Sequence, residues 1–522
     1  MSLTDVSTTS PQSIDIPPFY LPPKPRPSTS TSNTSPKYTR FPGVITDHTW
    51  SSIHERVREV FSAAAADDGG GGEENAALNV DAFAEITTQY FQFPRFFNRP
   101  LHRRIVTLYG TPVEPPTPDP PPEGGDSPPE EEEQPEEVVT IDMMEQYWTE
   151  YMELFDSHDR FYQLVKQPDS EYVTKDDFLP FIEELLNSHP GLEFLSNHAE
   201  FQEKYAITVI TRIFYVVNSH THNGKITARQ IRRSDLLSSF QTVDEEEDIN
   251  KVTQYFSYEH FYVLYCRFWE LDSDRDYRIT REDLLKYAEH SLSHTIVDRI
   301  FDAAPRPFTN DSSPPPTAAE TPENDESTNN HRDYLSYEDF IFFMLSEEDK
   351  ANEISVRYWF TCIDVDGDNK LNNMEMRSFY AVQLDRMQCL GHEIVPFEDM
   401  LCQMIDMIKP AHQDYLIVSD FLQLECAQVS GALFDALFNL NKYMQFEQRD
   451  PFMERQKRED EFDSDWDRFA CIDYTRLAME EEAREEEAME IDWVTVEEDD
   501  DDDDMGDEFS SLGLGGASEA PF

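Results

Sequence analysis

Basic residues are scarce in this chain of 522 residues. It carries 42 Lys and Arg against 106 Asp and Glu, which gives a formal net charge of −64 at pH 7. A surface that binds nucleic acid or an anionic membrane needs clustered positive charge to displace counterions. We therefore expect no nucleic-acid partner, and we expect cations or basic protein surfaces as partners instead.

Cysteine is also rare, and long apolar runs are missing. The six cysteines have neither the paired spacing of a zinc site nor the density of a small secreted scaffold. No run approaches the ~18 apolar residues of a membrane span, and the Pro-rich start lacks the apolar core of a signal peptide. We expect reduced thiols and a cytoplasmic protein, with cytoskeletal, centrosomal and nuclear placement left open.

Motifs of the common catalytic sites are absent as well. The sequence contains no GxxxxGK[ST], no GxSxG, no HExxH and no GxGxxG. His331, Arg332 and Asp333 spell the tripeptide of a kinase catalytic loop, but Glu338 stands where such a loop has its Asn. We expect that this chain is not an enzyme.

The clearest functional motif is DVDGDNKLNNME at residues 364–375. Counted as a twelve-position EF-hand loop, it places carboxylates at positions 1, 3, 5 and 12 and a backbone carbonyl at position 7. These positions are Asp364, Asp366, Asp368, Glu375 and Lys370. Asn369 occupies the turn at position 6, where Gly is usual, and Asn is the next-best residue for a left-handed backbone. The spacing predicts a Ca²⁺ site, because clustered carboxylates repel each other unless a cation lies among them.

A second loop, DSDRDYRITRED at residues 272–283, follows the same pattern with two departures. Its ligand positions are Asp272, Asp274, Asp276, the carbonyl of Arg278, and Asp283. Tyr277 occupies the turn position, where a β-carbon is unfavourable. Asp283 is one methylene shorter than Glu, so bidentate closure requires the exit helix to move inward. We predict a Ca²⁺ site that is weaker, or more tolerant of Mg²⁺, than the loop at 364–375.

A short frame recurs six times and indicates a repeat architecture. An aliphatic residue is followed by a residue that is usually Thr or Ser, and three residues later an acid or amide precedes an apolar residue. The copies begin at Val173, Ile226, Ile279, Leu335, Leu371 and Leu416, with a weaker copy at Val139. Each copy is the second half of an EF-hand loop running into its exit helix. The frame predicts a mainly α fold of EF-hand and EF-hand-like units, as three pairs or as two EF domains with extra hands.

The other loops of the repeat lack ligands. Residues 219–230 keep the turn Gly224 but have lost every carboxylate position. Residues 333–340 and 414–421 have the pattern of half-hands. We interpret these units as structural elements that brace a partner hand.

Composition divides the chain into ranges. Residues 1–45 form a Pro/Ser/Thr-rich N-terminus that we expect to be disordered, residues 46–110 a helical segment, and residues 111–137 an acidic Pro-rich insertion. A first domain of degenerate hands is predicted at 138–270. A second, at 271–445, contains both ligand-bearing loops and an insertion at 304–332 that we expect to be disordered. A charged extension and acidic tail follow at 446–522.

The strip IPPFYLPPKPRP at residues 16–27 interrupts the N-terminal range. Its aromatic residues Phe19 and Tyr20, between prolines, are compatible with docking on a groove as an extended strip. We favour the simpler interpretation, which is a linker that contains two aromatic residues.

Several stretches outside the loops resemble one known family. They lie at residues 189–218, 245–276, 342–349, 346–371, 396–410 and 438–470. Together with the strip at 16–27, they closely resemble the calcium-binding regulatory B'' subunits of protein phosphatase 2A. The resemblance covers roughly residues 138–470, and it is specific because stretches that calmodulin-like proteins lack match in order.

This resemblance implies a non-catalytic, regulatory role. Members of the family bind the HEAT-repeat scaffold and the catalytic subunit, and they direct the phosphatase to its phosphoprotein substrates. In the family both ligand-bearing hands bind Ca²⁺, which carries over to the ligand positions named above in 272–283 and 364–375.

The alternative is a stand-alone EF-hand calcium sensor or buffer. Met400, Met404, Met407 and Ile408 would then line an apolar groove for target helices. Their helical spacing is more typical of plain core.

Overall fold

Helix-start signals explain the recurring frame. In a computed structural model, the residue after the aliphatic position caps the following helix, and the acid or amide three residues later accepts from the backbone N–H of that cap. The reciprocal capping pairs are Thr174/Asp177, Thr227/Gln230, Thr280/Asp283, Ser336/Asp339 and Asn372/Glu375. In the sixth copy, Ile417 has no polar side chain, and only its backbone N–H reaches Asp420. The frame therefore marks a helix start in every copy, whether or not its loop carries metal ligands.

The structure describes residues 18–19, 50–67, 77–110, 138–308, 333–412, 414–423, 427–448 and 462–498. The expectations for the insertion 111–137, for most of the range 1–45, for 309–332, and for 449–461 and 499–522 of the extension and tail concern residues outside this description. The chain divides into two units, Met1–Cys471 and Ile472–Phe522.

The fold is mainly α, as the sequence predicted. The helices of the first half are α1 (Trp50–Asp67), α2 (Val80–Ile86), α3 (Asn98–Tyr109), α4 (Ile141–Tyr151), α5 (Ser157–Val165), α6 (Lys175–Ser188), α7 (Ala199–Val217), α8 (Ala228–Arg233), α9 (Leu236–Glu245) and α10 (Tyr258–Leu271). Those of the second half are α11 (Arg281–Leu284), α12 (Tyr287–His290), α13 (His294–Ala303), α14 (Tyr337–Glu348), α15 (Glu353–Ile363), α16 (Asn373–Leu390), α17 (Phe397–Ile408), α18 (Val418–Phe421), α19 (Ala427–Phe438), α20 (Leu440–Gln448) and α21 (Asp465–Glu498). Among the described residues, no helix combines the length and apolarity needed to cross a membrane.

Short antiparallel contacts join the helix–loop–helix units into pairs. The strands are β1 (Ala77–Leu78), β2 (Val139–Thr140), β3 (Ile279–Thr280), β4 (Tyr334–Leu335), β5 (Leu371–Asn372) and β6 (Tyr415–Leu416). β1 pairs with β2, β3 with β4 and β5 with β6, and an isolated bridge joins Val173 to Ile226. The paired aliphatic residues are all buried. Burial of each such side chain contributes about 1.5–3 kcal/mol, which explains why the frame requires an aliphatic residue at this position.

The described residues contain four pairs, where the sequence predicted three pairs or two EF domains. Val139, noted only as a weak copy, pairs with Leu78 in a unit that sequence reasoning missed. Both units lack an acid at the last loop position, where Ala82 and Met143 stand. The additional pair joins residues of the predicted segment 46–110 to residues beyond 138. The predicted boundaries themselves stay predictions, and residues on both sides of 270/271 belong to the same unit.

Three stretches that composition assigned to linkers or extensions are packed. Phe19 lies 4.8 Å, centroid to centroid, from the ring of Tyr262 on α10, so the linker interpretation is wrong for this residue. Residues 304–308 were assigned to a disordered insertion, yet Phe308 is buried, with its ring 5.2 Å from that of Phe214. Trp466, beyond the predicted second domain, is buried and donates its indole N–H to His260 Nδ1 at 3.2 Å. An aromatic residue in a Pro-rich or charged stretch thus signals packing that average composition conceals.

Candidate metal centres

The loop at 364–375 brings three carboxylates to one point. Asp364, Asp366 and Asp368 each offer an oxygen, and these oxygens lie within 4.8 Å of one another. Asp364 closes the end of α15 and is buried, whereas the other two are exposed. Oxygen donors at this spacing suit a hard divalent cation, and the cluster contains neither the nitrogen nor the sulfur ligands of a zinc site.

Two left-handed residues give this loop its turn. Asn369 has φ 60°, as its place at position 6 predicted, and Gly367 at position 4 has φ 72°. The second left-handed position was overlooked in the sequence, although the glycine was a visible signal for it. The turn lets the backbone amides of Gly367 and Asn369 donate to the two oxygens of Asp364, at 2.9 and 2.8 Å. Asp364 therefore organises the loop.

Glu375 connects the two ends of the loop. Its Oε2 accepts from the backbone N–H of Asn372 at 3.0 Å, as part of the α16 cap, and its Oε1 accepts from the backbone N–H of Val365 at 2.8 Å. The carboxylate is buried and lies against the first half of the loop. The Lys370 ammonium lies 5.2 Å from the ring centroid of Tyr415. Because an ammonium is positively charged and has no lone pair, the group that Lys370 can offer to a cation is its backbone carbonyl.

The loop at 272–283 forms the second cluster. Oxygens of Asp272, Asp274 and Asp276 also lie within 4.8 Å of one another. Burial raises the pKa of Asp272 to about 6, and the neighbouring Asp274 and Asp276 carboxyls also raise it. The ionised cluster is therefore destabilised unless positive charge lies nearby. Within the part of the chain that the structure describes, no third group of this kind was found.

Tyr277 is tolerated at the turn of this loop because tertiary contacts hold it. Its φ is 61°, a conformation that is unfavourable for a bulky side chain. The hydroxyl donates to Glu200 Oε1 at 2.7 Å, the Lys204 ammonium lies 4.4 Å from the ring centroid, and the Trp269 ring lies at 4.9 Å. Both Glu200 and Lys204 belong to α7, so these contacts attach the loop to another hand.

Asp283 differs from Glu375 in what it contacts. Its Oδ2 accepts from the backbone N–H and the hydroxyl of Thr280, at 3.1 and 2.6 Å, while its Oδ1 pairs with the Lys286 ammonium at 2.8 Å. The amide of Ser273, which corresponds to Val365, donates instead to the carbonyl of Leu271 at 2.9 Å. The shorter side chain thus caps its own helix and binds a lysine, whereas Glu375 reaches across its loop. The Arg278 guanidinium carbon lies 4.5 Å from the ring centroid of Tyr334. Because a guanidinium is positively charged and accepts no bond, the carbonyl of Arg278 is the group that it can offer to a cation.

Two loops that lack aspartates at positions 1, 3 and 5 contain substitutes for an ion. In residues 219–230, the position-7 carbonyl of Lys225 accepts from the side-chain amide of Asn218 at 2.6 Å. In the loop after α5, the Lys166 ammonium donates to the carbonyls of Gln167 and Pro168, at 3.1 and 3.2 Å. In these loops, the N–H groups of an amide or an ammonium take the place beside the carbonyl oxygens that a metal ion would take in a ligand-bearing loop. This supports the interpretation of these hands as structural.

Comparison with known proteins gives one family model and several relatives. A model described as an EF-hand domain matches residues 156–246, which contain the pair joined by Val173 and Ile226. In Arabidopsis thaliana, a probable B''delta regulatory protein of serine/threonine protein phosphatase 2A is 47% identical over 62% of this chain and 56% of its own length. The corresponding B''epsilon protein is 42% identical over 78% of this chain and 68% of its own length.

Human and structural relatives carry related names. The Homo sapiens B'' alpha regulatory protein of serine/threonine-protein phosphatase 2A is 42% identical over 62% of this chain, but only 27% of its own length is covered. A solved PP2A PR70 holoenzyme contains a chain that is 40% identical, with a TM-score of 0.47, and the match covers 56% of this chain and 98% of that one. The present chain thus spans from about a quarter to about two thirds of the length of these three curated relatives.

Proposed function

This chain belongs to the B'' family of protein phosphatase 2A regulatory subunits, and we propose that it is a calcium-binding member that works through the active site of another protein. In this proposal it binds the scaffold and catalytic subunits and selects phosphoprotein substrates. The names of its relatives, all regulatory subunits, support a non-catalytic role. The chain's acidic charge suits basic protein partners.

The observation that carries the calcium assignment is the convergence of three aspartates in each of two loops. At 364–375, the ion would be held by Asp364, Asp366, Asp368, Glu375 and the carbonyl of Lys370. At 272–283, it would be held by Asp272, Asp274, Asp276, Asp283 and the carbonyl of Arg278. The donors are all oxygens, which is the chemistry that Ca²⁺ prefers. A bound Ca²⁺ would supply the positive charge that neutralises each cluster.

The position of Glu375 links the site to the shape of the molecule. It is the third residue of α16, and its carboxylate lies against the loop that leaves α15. The side chain therefore links the end of α15 to the start of α16, and its closure on an ion would fix the angle between these helices. We propose that this angle determines the surface presented to the phosphatase core.

The rival interpretation, a stand-alone sensor, rested on an apolar groove for target helices lined by Met400, Met404, Met407 and Ile408. Met407 is half-buried on α17, whereas Met400, Met404 and Ile408 are at most 1% exposed. They belong to the core on α17, as their helical spacing indicated. The observation that favoured a sensor is therefore better explained by packing.

Reconstitution with purified scaffold and catalytic subunits tests the proposal. The full chain is expected to co-elute with both subunits in Ca²⁺, and Glu375→Gln is expected to weaken this association. Asp385→Asn is a matched control, because it removes one negative charge from an exposed position on the same helix. Failure to co-elute both with Ca²⁺ and with chelator would reject the phosphatase role.

We also propose a cytoplasmic location, with cytoskeletal, centrosomal or nuclear placement as alternatives. Among the described residues, Cys266, Cys362, Cys389, Cys402 and Cys471 form no disulfide, which supports a reducing compartment. Cell fractionation with imaging of the tagged full chain tests this proposal.

A further inference from the structure

One side chain on α13 holds the beginning of the loop at 364–375. Arg299 donates from Nε to the carbonyl of Cys362 at 2.6 Å, and from Nη2 to the carbonyl of Asp364 at 2.9 Å. A longer contact of 3.5 Å reaches the carbonyl of Thr361. The last carbonyls of a helix lack intrahelical partners and carry partial negative charge, so a guanidinium stabilises the end of α15. Arg299 thereby positions Asp364, the first ligand of that loop.

The same helix holds the exit of the loop at 272–283. Arg281 is the first residue of α11, two residues before the ligand Asp283. Its Nη2 lies 2.8 Å from Asp302 Oδ1 and its Nε lies 3.3 Å from Asp298 Oδ1, both on α13. Its guanidinium carbon also lies 4.7 Å from the ring centroid of Phe301. Three neighbours on α13 thus hold one arginine.

The strand contacts do not join these two loops. Ile279 in the first loop pairs with Leu335, whereas Leu371 in the second pairs with Leu416. α13 contacts both loops and is held by its buried face, which consists of Ile296, Val297, Ile300 and Phe301. A close-packed helix face of this kind transmits strain from one end of the helix to the other.

We propose that α13 couples the two metal loops, so that an ion in one loop raises the affinity of the other. The proposal rests on the calcium-binding function proposed above. When 364–375 is filled, the carbonyl of Asp364 is fixed and Arg299 holds α13 against it. Asp298 and Asp302 on the fixed helix then hold Arg281. The backbone around Asp283 therefore loses less conformational entropy when Asp283 closes its own loop on an ion. Such a reduction in ordering entropy produces positive cooperativity.

Calorimetric Ca²⁺ titration of the full chain tests the coupling as a thermodynamic cycle. We expect Glu375→Gln to lower the affinity of the site at 272–283 by about fivefold or more, although that residue lies in the other loop. Arg299→Lys keeps the positive charge but loses the forked guanidinium. In this background, Glu375→Gln should leave the affinity of the site at 272–283 unchanged, so that the ratio of the two affinities is near one. Arg357→Lys is the control, because Arg357 pairs with Glu353 within α15. It should leave the ratio unchanged.

The contact between Asp302 on α13 and Arg281 gives an independent variant. Asp302→Asn removes the charge nearest Arg281 and should abolish the coupling in the same way as Arg299→Lys. Circular dichroism and hydrogen exchange of α13 report whether each variant is folded. If Arg299→Lys fails to fold, Asp302→Asn decides the question.

The outcomes separate the two proposals. The coupling would be overturned if the two sites bind independently in the unmodified chain. It would also be overturned if neither Arg299→Lys nor Asp302→Asn changes the affinity ratio. Both results would leave the calcium function intact. A chain that takes up Ca²⁺ at only one site would also overturn the coupling. A chain that takes up no Ca²⁺ would overturn the proposed metal function, and the coupling with it.

Discussion

Val365 donates its backbone N–H to Oε1 of Glu375 at 2.8 Å, so the last ligand position of this loop contacts its second residue. The equivalent amide in the other loop, that of Ser273, donates to the carbonyl of Leu271, two residues earlier in the chain. Asp283 pairs instead with Lys286. The loop at 364–375 is therefore the better prepared of the two for an ion, because its closing carboxylate already lies across it.

The first prediction concerns the closing residue of that loop. Glu375→Gln keeps the side-chain length but replaces the bidentate carboxylate by a neutral amide with one oxygen, so the tighter Ca²⁺ site should weaken by at least about tenfold, or about 1.4 kcal/mol. A weaker site should remain at 272–283. Calorimetric titration measures both, with Asp385→Asn as the matched charge control. Two sites of unchanged affinity in Glu375→Gln would contradict the assignment of this ligand.

The second prediction concerns Lys286, whose ammonium lies 2.8 Å from Asp283 Oδ1. Because this cation competes with a metal for the carboxylate, Lys286→Gln should tighten Ca²⁺ binding at 272–283. Lys286 is about half exposed, so the pair is partly screened and the gain should be only about twofold to fivefold. Lys251→Gln, which breaks a surface pair with Glu246, is the control. Titrations in the Glu375→Gln background isolate the site, and a loss of affinity would refute the competition.

The third prediction concerns Gly224, the turn glycine of the ligandless loop. Its φ is +67°, and an added Cβ would lie 2.7 Å from the carbonyl oxygen of Pro307. Gly224→Ala should therefore destabilise the fold by about 2 kcal/mol or more. Gly391→Ala is the matched control, since its φ is +74° and an added Cβ would meet nothing within 4 Å. It should cost only about 1 kcal/mol.

Denaturant unfolding of the two glycine variants measures this difference. Equal losses in both would show that backbone conformation alone matters, and that the approach of Pro307 does not.

The fourth prediction concerns pH. Burial, with smaller contributions from His220 and Arg357, lowers the pKa of His222 to about 4. Its Nδ1 is buried and has no hydrogen-bond partner among the described residues. The unfolded chain, with a histidine pKa near 6.5, then binds more protons than the folded chain between these values. The stability that His222 contributes is present above about pH 6.5 and is lost as the pH falls toward 4.

His222→Asn should remove part of this pH dependence. Asn tolerates the left-handed φ of 44° at this position and does not titrate. Between pH 6.5 and 4.5 the unmodified chain should lose about 1–2 kcal/mol more than the variant, after discounting for partial exposure. Denaturant unfolding at a series of pH values checks this. Parallel pH curves for the two proteins would show that other groups carry the acid sensitivity.

The sequence by itself determined the local parts of the molecule. The aliphatic residue, cap and acid of each frame, and the ligand spacing of 272–283 and 364–375, lie within twelve consecutive residues, where one loop geometry relates them. For this reason the mainly α fold and the clustering of each loop's three aspartates could be predicted, and so could the left-handed Asn369. The Ca²⁺ affinities of the two loops remain predictions.

Only the tertiary structure decided how these parts combine. The pairing of Leu78 with Val139, the stabilisation of Tyr277 by Glu200, and the link from Arg299 to Asp364 join residues far apart in sequence. Frame, period and composition describe neighbours along the chain and contain no information about such contacts. Packing brings these side chains together, and through it Tyr277 becomes an anchor for the loop at 272–283, although its place at the turn had suggested a defect.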